Sequence, residues 1–261
     1  MRRRLAISAL LTLAVLLTAG IAKGELSQKG NLRISFQGGF TPHSLPRERL
    51  APITVSVEGS IGTTDGTRPP ALRELQIGLN RAGRISNRGL PTCTTALLQS
   101  TTDNAAMGRC RSALVGHGGF SASLETLGQL TPAHGHALVF NGLFQGKPAL
   151  LLHFYVSVPV QVTLVLPLVI THQGKGKFGT TLTARIPTLA GGLGSITRVA
   201  LKIGRQYSFE GKRRSYISAS CAAPAGFPGA PFTFARGAFD FADGREITTT
   251  LTRNCTVRAG A

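Results

Sequence analysis

Few residues in this chain combine a chemically useful type with a useful spacing. "AHGH" at 133–136 sets His134 and His136 two apart. In a strand that spacing puts both rings on one face. A metal would need a third ligand, such as His153. Nothing in the sequence brings His153 there, so the expectation is loop or surface histidines, with no metal and no cofactor. "DFADGRE" at 240–246 crowds Asp240, Asp243 and Glu246. It lacks the alternating acids of a calcium loop, and Asp243-Gly244 reads as a turn between strands. There is no G-x-S-x-G, no H-E-x-x-H and no phosphate-binding glycine loop. Carboxylates for glycoside hydrolysis can be distant in sequence, so a secreted hydrolase with fold-assembled carboxylates is the alternative reading. With 11 acids in 261 residues, most of them beside turns or basic residues, the main reading is non-catalytic.

Basic side chains are the other resource. "YSFEGKRRSY" at 207–216 places Lys212, Arg213 and Arg214 in a row. Upstream, Lys202 and Arg205 follow an alternating strand pattern. Residues 199–209 and 212–220 read as a hairpin turning at Glu210-Gly211, since glycine takes the positive φ that tight turns need. The five residues form a candidate polyanion-binding patch. The competing account is a solubilising edge that blocks strand-to-strand aggregation.

Charge favours polyanionic partners more broadly. The formal charge is +18, and residues 23–261 alone carry +15. Residues 131–261 hold +10 of it, against +5 for 23–130. An anionic cell-envelope polymer or lipid surface is the expected partner; composition bias toward arginine is the alternative. Nucleic acid is not expected. The chain has no Trp and three Tyr, which leaves few platforms for stacking bases.

The N-terminus argues for export. Arg2, Arg3 and Arg4 precede an apolar run from Leu5 to Leu17 and then small residues. This is the order of a secretory signal peptide, expected over residues 1–22. The run is short for a membrane span, which needs about 20 residues. A secreted or envelope-associated protein follows, with no membrane-spanning segment in its mature chain. In such a compartment the four cysteines read as disulfides. Three connectivities are open. The local pairs Cys93–Cys110 and Cys221–Cys255 are expected, because each half then has its own staple. Closing 17- and 34-residue loops would stabilise by about 3 and about 4 kcal/mol.

The elements that must position these groups read as strands. In "ALLLHFYVSVPVQVTLVLPLVI" (149–170), even positions from 152 to 166 are apolar and the odd ones from 153 to 163 mostly polar. Period 2 indicates a half-buried strand, with an edge, bulge or break at Pro159. Further strands are expected near 31–37, 53–60, 73–79, 136–144, 179–186, 197–204, 214–220, 231–241 and 246–256. A helical turn or two fits only between Cys93 and Cys110. "LRELQIGLNR" (72–81) and "ITRVALKIGR" (196–205) share one apolar spacing, which suggests tandem duplication. The expected fold is therefore all-β: two tandem immunoglobulin-like or similar β-sandwich units, over residues 23–130 and 131–261.

Overall fold

The structure, a computed structural model, describes residues 25–126, 128–158, 161–192 and 194–258. The expected signal peptide and the expected break at Pro159 lie outside these residues. Strand dominates what is described. β1 (Glu25–Lys29) and β2 (Leu32–Thr41) pair as a hairpin, followed by the short β3 (Ser44–Leu45) and β4 (Ala51–Pro52). Next come β5 (Thr54–Thr63), β6 (Leu72–Asn80), β7 (Gly83–Ile85) and β8 (Cys93–Thr94). Two short helices follow, α1 (Thr95–Leu98) and α2 (Asp103–Cys110), the second capped by the Thr102 side chain accepting from Ala105 N. The chain then runs β9 (Leu114–Thr126), β10 (Gln129–Phe144), β11 (Lys147–Val156), β12 (Val162–His172) and β13 (Phe178–Arg185) as a meander. It ends with β14 (Gly194–Ile203), β15 (Gln206–Phe209), β16 (Lys212–Ser215), β17 (Ile217–Ala219), β18 (Gly229–Phe241) and β19 (Glu246–Val257).

One large sheet takes most of these strands, in the order β1-β2-β5-β14-β9-β10-β11-β12-β13-β6-β18-β19-β3, with β8 beside β10. The sheet curls until β19 lies against β1 and β2. Arginine side chains join that seam. Arg253 Nε donates to Gly38 O, and Arg245 Nη1 donates to Lys29 O and Asn31 Oδ1 at 3.2 and 2.8 Å. Inward positions of most strands, such as Ile34 and Phe36 or Leu150, Leu152 and Phe154, form one apolar core. A second, smaller cluster lies outside the sheet, where α1 and α2 cover Phe140, Ala149 and Leu151. One end of the curl is plugged by the three-stranded sheet β4-β17-β7, with Ala51, Ile85, Ile217 and Ala219 buried.

Both expected disulfides are present: Cys93–Cys110 fastens the helical segment, and Cys221–Cys255 ties the plug to β19. The two expected sandwich units are not seen as separate sheets. The boundary near residue 130 falls in the β9–β10 hairpin. Moreover β6 of the first half sits between β13 and β18, while β14 of the second sits between β5 and β9. Each half needs the other's strand to complete its hydrogen bonding. The shared spacing of 72–81 and 196–205 belongs to these two crossing strands, both of which line the interior. The 149–170 stretch is a hairpin, not one strand. Val156 pairs with Val162 and Leu152 with Leu166, so even positions oppose even positions. The alternation therefore keeps its parity across the turn.

Candidate functional site: an apolar cavity with a polar rim

Curling leaves the interior incompletely filled. A chamber of about 380 Å³ and a smaller one of about 110 Å³ lie along the axis. Phe36, Val57, Ile77, Leu152, Leu168 and Leu201 line both, so the two adjoin. These residues come from β2, β5, β6, β11, β12 and β14, and each points inward because strand alternation sends every second side chain to one face. The small chamber ends on the plug, at Ile85, Ile217 and Ala219. The large chamber runs to the opposite end, where its lining becomes polar at Ser60, Arg73, Thr188, Ser195, Thr197 and Arg198.

That rim is built by two irregular segments, Pro69–Ala71 and Ile186–Gly192. Arg68 fastens them together. Its Nη1 meets Glu125 Oε2 at 3.0 Å, its Nε donates to Ser195 Oγ at 3.4 Å, and its Nη2 donates to Gly192 O. Arg198 donates to Glu58 Oε1 at 2.8 Å, and this hydrogen bond, followed by the charge, holds Glu58 below the usual carboxylate range. Arg73 is exposed.

The residues of the candidate basic patch take different places. Lys212 and Arg213 are exposed on the β15–β16 hairpin, whose turn residues Glu210 and Gly211 both have positive φ. Arg213 Nη2 donates to Gln206 Oε1 at 3.1 Å. Arg214 is half-buried, and its Nε has no hydrogen-bond partner. Arg205 braces another loop, donating to Ser112 O and Leu114 O at 2.7 and 2.8 Å. Lys202 projects from β14 opposite His117. The hairpin therefore gathers Lys212 and Arg213 beside the plug, while Lys202 and Arg205 serve the large sheet.

The histidines also separate. His134 Nδ1 is 3.0 Å from Ser121 Oγ on β9. His136 and His153 both turn to Asp103 of α2, a partner that the sequence reading did not include. The cavity was missed as well, because alternation reveals which side chains point inward but not whether they meet. The one local sign is small inward residues, Gly59 among them, where an added Cβ would meet nothing within 4 Å.

Among the described residues, no helix is long and apolar enough to cross a membrane. The two disulfides indicate an oxidising compartment. Comparison of the chain with protein-family models, with curated proteins and with solved structures gave no match.

Proposed function

We propose that this chain is an exported, non-catalytic binding protein that takes the apolar chain of an acyl lipid into the curled sheet. The observation that carries this reading is the large chamber, apolar in depth and polar only at its rim. Its volume of about 380 Å³ falls within the range of small-molecule pockets, about 300–1,000 Å³. A cavity lined by aliphatic and aromatic side chains stays dry. An occupying alkyl chain gains about 0.8 kcal/mol for each CH₂ removed from water. Arg73, exposed at the rim, suits a carboxylate or phosphate head group. The signal-like N-terminus supports export, and the net charge of +15 over residues 23–261 supports residence at an anionic envelope polymer or lipid surface.

The test is titration of delipidated protein with a fluorescent polyene fatty acid, displaced by palmitate. Saturable, competitive binding is expected. Gly59→Phe pushes a ring into the chamber from a position with open space around its Cβ. It should weaken binding at least about tenfold, a loss of about 1.4 kcal/mol, without unfolding the protein. A wild-type protein that takes up no fatty acid, or a Gly59→Phe protein that binds as well as wild type, would sink the proposal.

A further inference from the structure

The outer face of the sheet under α2 carries a polar cluster that the interior cavity does not use. On β10 and β11, His136 pairs with Tyr155 and Leu138 with His153. His136 and His153 are thus diagonal neighbours on one face, within reach of a shared group. Asp103, the first residue of α2, supplies that group. Its Oδ2 lies 3.3 Å from His136 Nδ1 and its Oδ1 lies 3.5 Å from His153 Nδ1.

Proton placement within this cluster leaves a gap. His153 is fully buried, and its Nε2 lies 3.0 Å from Thr101 O and 3.0 Å from Thr101 Oγ1. The Thr101 hydroxyl gives its own proton to Leu98 O at 2.6 Å. Both Thr101 oxygens therefore accept, which assigns the ring proton to Nε2. Nδ1 is left with a lone pair facing Asp103 Oδ1. Neither atom has a hydrogen-bond partner, and both are buried. Two buried acceptors turned toward each other are stable only with positive charge between them. A backbone carbonyl that fixes the far ring nitrogen is also the usual support behind a metal-ligating histidine.

We propose that Asp103, His136 and His153 form a binding site for a divalent cation of the zinc class. Two imidazoles and one carboxylate suit zinc, whereas calcium and magnesium take oxygen sets. Donors around a tetrahedral ion with bonds of about 2.1 Å stand about 3.4 Å apart, and each imidazole nitrogen is near that distance from its own oxygen of the Asp103 carboxylate. As the side chains stand, no group of three His, Cys, Asp or Glu among the described residues could hold a metal ion, so the site needs one ring to turn. Here His136 completes the set. Its side chain is 83% exposed, so its ring turns toward the ion without disturbing the core. The fourth position lies on that solvent side. His134, held by Ser121, stays outside the site.

The experiment is calorimetric titration of the untagged full chain, stripped by chelator, with zinc chloride. One ion per chain is expected, with a rise in melting temperature. His136→Ala and Asp103→Asn should each weaken uptake at least about tenfold and remove the melting shift, while His134→Ala binds as wild type. His136 is exposed, so its variant keeps the fold and keeps the test decisive. Failure of the wild-type protein to take up zinc would leave a proton between the two groups and overturn the site. Uptake that His136→Ala and Asp103→Asn leave unchanged would overturn it equally.

Discussion

Asp240 shows how register alone can set a side chain's chemistry. It lies opposite Glu246 on β19 and Glu74 on β6, so three carboxylates stand in one row across the outer face. Burial first, then the charges of Glu246 and Glu74, raise Asp240 above the usual carboxylate range. The folded state therefore holds this proton more tightly than the unfolded chain does. The resulting stability is present at pH below the unfolded value and is lost as pH rises through the folded one. Glu58 behaves oppositely: its contribution is present at neutral pH and lost on acidification. Asp240→Asn should accordingly stabilise the protein at pH 7 by about 0.5 kcal/mol, the scale of one cross-strand charge pair. That is about 1–2 °C in melting temperature for a chain of this size. Thermal melts from pH 3 to pH 8 check it, and the advantage should vanish at the acid end. The sequence displayed these acids only as crowding in 240–246. Glu74 joins them through strand pairing between residues more than 160 positions apart, which no local pattern records. His136 and His153 were similarly legible as chemistry without geometry, since their meeting point is a helix residue.

Between elements, the seam carries an unusual burden. β19 and β2 close the curl without a backbone ladder between them, and Arg253 reaches across to Gly38 O. Arg253→Ala removes a charged donor from a part-buried carbonyl, which costs about 2 kcal/mol. Urea unfolding should show a lower midpoint, and an unchanged midpoint would mean that core packing and the Arg245 contacts hold the seam without it. The strands that build this curl differed in how plainly they could be read. β11 and β12 announced themselves by alternation, yet their hairpin was hidden because pairing of even with even positions preserves the pattern through the turn. β9 displays no strand pattern in its sequence. Its "GHGGFSAS" looks like a loop, but an added Cβ at Gly118 would collide with the Ala200 carbonyl of β14. The glycine is there for close backbone approach, a demand set by the neighbouring strand. The disulfides were readable from local spacing; the strand exchange between halves was not, because it depends on which sheet edge each strand finds.

At the scale of the whole molecule, charge and cavity point in different directions. β14 begins at the rim of the large chamber and ends at Ile203. The β15–β16 hairpin follows from that far end and leans on the plug side, where Tyr207 Oη donates to Arg88 O at 2.7 Å. A protein drawn to an anionic surface by Lys212 and Arg213 would therefore hold its cavity mouth away from that surface. Docking and ligand uptake should then be separable. Each basic residue near an anionic membrane contributes about 1 kcal/mol. Lys212→Gln with Arg213→Gln should lower retention on phosphatidylserine vesicles roughly thirtyfold, and wild-type retention should fall as salt is raised. The same double variant should bind soluble fatty acid with unchanged affinity. Arg214 is left in place, since it is half-buried and its loss would confound folding with charge. If fatty-acid affinity falls together with vesicle retention, the hairpin and the mouth act as one surface and do not face opposite ways. If retention stays unchanged in the double variant, the charge that matters lies elsewhere, and the arginines at the rim become the next to neutralise.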